Sequence, residues 1–294
     1  MAKVLKELNF KIALVYIDDI LIFSKSFEEH LHHLHLVFSN LRQAKLKLNP
    51  GKCNFATGTV KYLGHIISKD GIRVNPENTN KVRNFPTPRN VKEVRSFLGM
   101  ANYYRKFVKD YARVASPLTA LLKKNQKFQW TPACEKSFDQ LKNKLTSAPL
   151  LAFPKLDQPF ILTTDASEYA NGYILSQIQD NREHVIAYGG RTLRGSELKW
   201  HITDKEALAL VEGIQHFRHY LSNQEFTVYT DNVSVKYLQK IKDCQGRLGR
   251  WSLLLQGYNF KILHRSGNKN PADCLSRQYH KNSEKEHSSD LVEH

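Results

Sequence analysis

Phe160-Ile-Leu-Thr-Thr-Asp165 is a short apolar and β-branched run that stops on an aspartate, and Phe226-Thr-Val-Tyr-Thr-Asp231 repeats the pattern further along. Runs of this composition predict strands, and each ends on a residue suited to the start of a loop. Working outward from the first, residues 172–177 and 184–189 predict its hairpin partners. Residues 205–221 follow with Leu210, Ile214, Phe217 and Leu221 at helical spacing, a long helix with one apolar face. Helices around 235–241 and 248–257, a strand at 260–263 and a short helix from Asn270 complete a unit in which strands and helices alternate. That alternation predicts an α/β fold. Residues 278–294 carry no apolar period and are expected to be a disordered tail.

On the N-terminal side, Ala13-Leu-Val-Tyr-Ile-Asp-Asp-Ile-Leu-Ile-Phe23 predicts a tight hairpin with Asp18 and Asp19 at its bend. Residues 27–48 have the period of a helix through Leu31, Leu34, Val37, Phe38 and Leu41, closed by Asn49-Pro-Gly51. Residues 60–67 and 72–74, joined by Lys69-Asp-Gly71, predict a second hairpin. From 75 to 122 the pattern is helical and basic, and Trp130-Thr-Pro132 opens a further helix to about 145. Ala148-Pro-Leu-Leu-Ala-Phe-Pro154 has the look of a linker, so a domain boundary is placed there.

The 294 residues suffice for two ordinary domains, and 41% hydrophobic with 24% charged residues excludes a wholly disordered chain. The apolar runs are too short to span a bilayer, and no secretory leader is evident. No membrane partner is expected. Cys53, Cys134, Cys244 and Cys274 form no C-x-x-C pair, which points to reduced thiols in an intracellular protein rather than disulfides or a zinc ribbon. Charge is uneven: residues 1–150 hold 26 Lys+Arg against 11 Asp+Glu, a net of +15, whereas residues 151–294 hold 18 against 17. Basic charge confined to one half suits a polyanion such as nucleic acid, since lysine and arginine displace counterions from phosphates. A simple solubility bias is the bland alternative.

Four acids of the second half have the chemistry of a divalent-ion site. Asp165 and Asp231 end strands, Glu206 lies one turn before Leu210 on the sheet-facing side of its helix, and Asp273 falls in the first turn of the last helix. Converging carboxylates bind hard cations, and two such ions activate a water and stabilise the leaving oxygen of a phosphodiester. Each acid also has a plainer reading. Thr203-Asp-Lys-Glu206 fits a capping box. Asn270-Pro-Ala-Asp273 fits an N-cap with a first-turn acid, and Asp165 and Asp231 fit turns. Spacing alone leaves both readings open.

The local sequences go further. Thr164-Asp-Ala-Ser167, Thr203-Asp-Lys-Glu-Ala-Leu208, Tyr229-Thr-Asp-Asn232, Arg247-Leu-Gly-Arg-Trp251 and Gly267-Asn-Lys-Asn-Pro-Ala-Asp-Cys-Leu-Ser-Arg277 together resemble the ribonuclease H domain of Ty3/gypsy-type retrotransposon Pol polyproteins. Upstream, Tyr16-Ile-Asp-Asp19 resembles the reverse transcriptase palm motif, and Tyr62-Leu-Gly-His65 the primer-grip hairpin. Val94-Arg-Ser-Phe-Leu-Gly-Met-Ala-Asn-Tyr-Tyr-Arg105 is similar to the thumb. The set covers residues 12–277 in the family's order.

The resemblance implies a C-terminal part of the palm at 1–75, a thumb and connecting helix at 76–153, and a ribonuclease H-like mixed five-stranded sheet with helices at 154–277. It implies Mg²⁺, with Mn²⁺ as a substitute, held by Asp165, Glu206, Asp231 and Asp273 for cleaving the RNA strand of an RNA–DNA hybrid. It further implies that Asp18 and Asp19 are two of three polymerase metal ligands. Tyr62, Leu63, Gly64, His65, Arg105, Lys106 and Lys109 would contact the hybrid or a template–primer duplex. The third polymerase aspartate belongs on an earlier strand, outside this sequence, so DNA synthesis by this chain alone is not expected. A missing N-terminal polymerase region or another Pol chain is the expected protein partner. The expected location is cytoplasm or nucleus, within a retroelement particle for a full-length protein. Asn232 stands where the family more often has histidine, and Tyr173 where it has a smaller residue.

Other residues carry competing readings. His30, His32, His33 and His35 crowd one helix, and His30 with His33 has chelating spacing but no evident third ligand, so a polar helix face is expected. Tyr103, Tyr104 and Phe107 beside Arg105, Lys106 and Lys109 suit either stacking along a nucleic acid or core packing. Lys47 and Lys52 add basicity around the Asn49-Pro-Gly51 turn. No glycine-rich nucleotide-binding loop is present. Two rivals to the nuclease stand: a non-catalytic hybrid-binding relic, and a polymerase subunit completed in trans by a separate chain.

Overall fold

The computed structural model describes residues 1–124, 126–240 and 246–265, which divide into two compact units, Met1–Asn75 and Pro76 onward. The expected thumb and ribonuclease segments both fall in the second.

In the first unit, β1 (Ala13–Tyr16) and β2 (Asp19–Ile22) form a hairpin, followed by α1 (Phe27–Gln43). Ser26 caps α1 by accepting from the Glu29 amide at 3.2 Å, with Glu28 and Glu29 in the first turn and Arg42 in the last, as the helix dipole favours. The buried core is small: Leu5, Ala13, Val37 and Leu41. β3 (Thr59–Tyr62), β4 (His65–Ser68) and β5 (Gly71–Val74) make an antiparallel meander. The stretch 60–67, expected as one strand, is therefore two. Tyr62 pairs with His65, and the intervening Leu63 and Gly64 have φ of 46° and 71°, the paired positive values of a two-residue hairpin turn.

The second unit opens with α2 (Pro76–Arg83), α3 (Val91–Tyr103), α4 (Tyr111–Ala120) and α5 (Pro132–Thr146). Asn90 caps α3 and Thr131 caps α5, with Pro132 at the first helical position where its missing N–H costs nothing. Phe97, Phe107 and Phe138 are fully buried among these helices. A five-stranded sheet follows, from β6 (Phe160–Ala166), β7 (Ala170–Gln179), β8 (Arg182–Thr192), β9 (Glu225–Thr230) and β10 (Asn259–His264), in the order β10-β9-β6-β7-β8. β6, β7 and β8 are antiparallel neighbours; β6, β9 and β10 are parallel. The crossover from β8 to β9 carries α6 (Ile202–His216) and α7 (Arg218–Leu221), and α8 (Gly246–Leu255) precedes β10.

Alternation along each strand sends Phe160, Leu162, Tyr173, Leu175, Phe226, Val228, Phe260 and Ile262 into one core with Leu210, Ile214 and Phe217 of the α6 side. α6 packs on β6 and β7, and α4 packs on β7 and β8. Where a helix around 235–241 is expected, Val233–Lys240 form a 3₁₀ helix, and residue 241 lies outside the described residues. Among the described residues no helix is long and apolar enough to cross a membrane.

Candidate metal centre

Strand register builds the site. In the parallel pair β6 and β9, Thr163 lies opposite Tyr229. Two residues on, Asp165 and Asp231 therefore leave the sheet side by side at the same end, on the same face. α6 brings Glu206 to that edge, where its Oε1 accepts from the Ala166 amide at 3.0 Å. Ligating oxygens of Asp165, Glu206 and Asp231 all lie within 4.8 Å of one another, the one such group of three or more His, Cys, Asp or Glu among the described residues.

The capping-box reading of Glu206 fails here. His201 is the N-cap of α6, its Nδ1 accepting from the Thr203 amide at 3.3 Å, so Glu206 is free to reach the strand instead. The first turn of α6 is held from outside as well. Arg247 of α8 pairs with Asp204 while its guanidinium lies 3.6 Å from the Trp200 ring centroid and 5.6 Å from that of Trp251. Buried Lys205 donates from Nζ to the Glu168 carbonyl at 3.3 Å, tying the same turn to the β6–β7 connection.

Glu206 is 3% exposed and its Oε2 is buried with no hydrogen-bond partner. Burial pushes its carboxyl up to about 8, against the Ala166 amide, with Asp231 and Asp165 adding to the rise. Asp165 is raised by burial first, then by Asp110 and Asp231, against Arg113 and Lys109. Like charges gathered around an orphaned buried oxygen are unfavourable alone and suit a hard cation with oxygen ligands.

The other expected site residues are dispersed. Asp273 and the short helix from Asn270 lie outside the described residues, as does the expected tail. Asp18 and Asp19 are exposed on the β1–β2 hairpin. Tyr62 donates from its hydroxyl to the Leu14 carbonyl at 3.2 Å, with Leu63 and Gly64 in the turn and His65 on β4. Of the aromatic cluster, Tyr104 and Phe107 are core residues, whereas Tyr103 is 56% exposed. Arg105 is exposed; Lys106 and Lys109 are half-buried, and burial lowers the Lys106 ammonium from its usual range. His30 and His33 serve separate local bonds, to Ser24 and to the Phe23 carbonyl. Tyr173 is accommodated because Gly189 faces it without a side chain: a Cβ there would stand 2.3 Å from the tyrosine ring.

Sequence reasoning did not single out Asp110 or Arg113, which have no motif and come near Asp165 only through the docking of α4. Arg247 was visible only as part of a motif, without its role at α6.

A five-stranded mixed sheet with a three-carboxylate edge defines a ribonuclease H-like class. The family described as the RNase H-like domain found in reverse transcriptase matches residues 130–228, and the reverse transcriptase (RNA-dependent DNA polymerase) family matches residues 1–67. The chain is 40% identical over its full length to the retrovirus-related Pol polyprotein from transposon 297 of Drosophila melanogaster, covering 27% of that relative. It is 38% identical, over 89% of its length, to the transposon Tf2-3 polyprotein of Schizosaccharomyces pombe, covering 20% of it. The chain thus spans about a quarter of the length of these relatives. Among solved structures, the foamy viral protease-reverse transcriptase dRH in complex with ds DNA superposes at a TM-score of 0.77, with 24% identity over 90% of this chain and 47% of that one. The foamy viral protease-reverse transcriptase in complex with RNA/DNA hybrid gives 0.76 at 23% identity, over 90% and 37%. By these matches the chain is similar to retrotransposon Pol polyproteins of the Ty3/gypsy type, over a reverse transcriptase segment and an RNase H-like domain.

Proposed function

We propose that this chain is a divalent-metal-dependent nuclease that hydrolyses the RNA strand of RNA–DNA hybrids. The observation that carries the reading is the convergence of Asp165, Glu206 and Asp231, with Oε2 of Glu206 buried and partnerless. These three residues would hold Mg²⁺, or Mn²⁺ in its place, with Asp273 as a fourth ligand. Bound ions supply activation of a water and neutralisation of charge on the leaving oxygen, so that cleavage leaves a 3′-hydroxyl on the RNA. The chain's own task is to hold three carboxylates together against their repulsion. The Ala166 amide fixes one oxygen of Glu206, and the Arg247–Asp204 pair anchors the turn that carries it.

The hybrid would be held through phosphates with little sequence preference, by basic residues of the thumb region such as Arg105, Lys106 and Lys109. The likeness to structures named for duplex complexes supports that reading. The first unit presents Asp18 and Asp19 on an exposed hairpin with no third acid converging on them among the described residues. Two acids without a third do not position a metal pair, so DNA synthesis is not assigned to this chain alone.

An end-labelled RNA–DNA hybrid incubated with Mg²⁺ tests the reading. Wild type is expected to cut the RNA, and both EDTA and Asp231→Asn are expected to abolish cutting. Hybrid binding by a folded wild type that never cuts would overturn it in favour of a non-catalytic relic.

A further inference from the structure

A further carboxylate reaches the centre from outside the five-stranded sheet. Asp110 immediately precedes α4, the helix that packs on β7 and β8. Aspartate at this position ordinarily caps the helix by accepting from an amide of the first turn. Asp110 does not: it makes no side-chain capping bond, and its backbone takes the left-handed conformation at φ 57° and ψ 30°. Its carboxylate lies against the sheet instead. A Cβ at Gly172 would stand 3.1 Å from Asp110 Oδ1 and 3.9 Å from the Asp165 carbonyl oxygen, and Gly172 is the register partner of Asp165. The missing side chain at Gly172 is what lets Asp110 lie beside the strand that carries Asp165.

The neighbours of Asp110 are arranged by charge. Its Oδ2 accepts from Arg113 Nη2 at 3.1 Å, and the Asp110 side chain is 20% exposed against 55% for Arg113. Gly172, over which Asp110 lies, pairs with Asp165 in register, so the charge of Asp110 stands one strand away from the centre. A plain i,i+3 ion pair accounts for the Arg113 contact. It does not account for an uncapped aspartate laid over a glycine beside an acidic centre. The centre itself has an unmet demand for positive charge, since Glu206 Oε2 is buried there without a partner. Asp110 is not one of the three residues whose oxygens converge within 4.8 Å, so its action is through charge and not direct ligation.

We propose that Asp110 is an outer carboxylate of the divalent-cation centre, contributed by the segment ahead of α4, and that it strengthens cation binding while Arg113 holds it in place and tempers its charge. This rests on the reading of Asp165, Glu206 and Asp231 as a divalent-cation site. It makes ion loading of the nuclease centre depend on a helix that lies outside the ribonuclease H-like sheet.

The test is Mn²⁺ titration of the full chain without nucleic acid at low salt, followed by electron paramagnetic resonance. Wild type, Asp110→Asn, Arg113→Gln and Asp231→Asn are compared, with circular dichroism and melting curves to confirm folding. Asp110→Asn is expected to weaken Mn²⁺ binding by about three- to tenfold, as expected for loss of one unit charge at partly screened range. Arg113→Gln is expected to tighten it by about two- to threefold, because an opposing charge is lost. Opposite signs distinguish a charge effect from a structural one. Unchanged affinity in Asp110→Asn, with loss in Asp231→Asn, would overturn the proposal. Equal weakening in Asp110→Asn and Arg113→Gln with lowered melting would also overturn it, reducing the pair to a helix brace. A wild type that binds no Mn²⁺ above the level of Asp231→Asn would instead overturn the reading of the centre itself.

Discussion

The two units of this chain each bring aspartates to the ends of strands, and they support them very differently. In the first, Asp18 and Asp19 sit at the bend of a short hairpin, exposed, over a core of Leu5, Ala13, Val37 and Leu41, with Phe10 and Ile17 81% and 71% exposed nearby in sequence. In the second, Asp165 and Asp231 end two central parallel strands over a core that runs from Phe160 to Ile262, and a helix pinned by Arg247 and Lys205 delivers Glu206 between them. A carboxylate motif in the sequence marks where chemistry is possible. A metal centre needs side chains fixed by packing and by a supporting layer of bonds, and only the second unit supplies these here.

Charge draws a further contrast, and breaking it has the largest expected effect. Residues 1–150 carry +15 and the remainder +1. Hybrid affinity is expected to fall by about 10³–10⁵ between 50 and 200 mM salt if about six to ten phosphates are neutralised. Filter binding across that range checks it, and Lys109→Gln is expected to lower the log–log slope by about one. A flat response would separate the basic half from hybrid binding.

Core substitutions sharpen the comparison of support. Phe160 is fully buried at the start of β6, and Phe160→Ala is expected to cost about 3–5 kcal/mol. All three tryptophans, Trp130, Trp200 and Trp251, lie in the second unit, so their fluorescence during urea unfolding reports on that unit. The same transition is expected to stay in place for Leu5→Ala, whose cavity opens in the other core. Movement by both variants would show the units to unfold as one.

A further effect, of similar size to the core substitution, is a slope with pH. Glu206, pushed up to about 8 mainly by burial, keeps a proton in the folded state that the unfolded chain releases near 4.5. Stability of the ion-free protein is therefore expected to fall as pH rises from about 4.5 towards 8 and to level off above that. Glu206→Gln should flatten this dependence and raise the melting temperature at pH 8. A melting series in EDTA from pH 5 to 9 measures it.

The strands ending at Asp165 and Asp231 were legible because each is a compact apolar run closed by an acid, and the sheet-facing period of α6 placed Glu206 on the correct side. The turn at Leu63 and Gly64 was hidden, since Tyr62-Leu-Gly-His65 continues an apolar stretch and a leucine at positive φ is against local preference. The cap of α6 was misread for a related reason: Thr203 and Glu206 have capping-box spacing, and nothing local says that the His201 ring takes the cap first. Asp110 was beyond sequence reading altogether. Its place depends on α4 docking against β7 and β8 and on the absent side chain of Gly172, which are products of tertiary packing.

The most direct test of the central claim assays both acidic sites in one tube. A labelled primer annealed to labelled RNA, with Mg²⁺ and all four deoxynucleotides, reports extension and RNA cleavage together. Wild type is expected to cut the RNA and leave the primer unextended. Glu206→Gln should lose cutting by at least about 10²-fold, while the double variant Asp18→Asn, Asp19→Asn should cut within about twofold of wild type. Primer extension without RNA cleavage, or cleavage that survives Glu206→Gln and fails in the Asp18, Asp19 variant, would contradict the account.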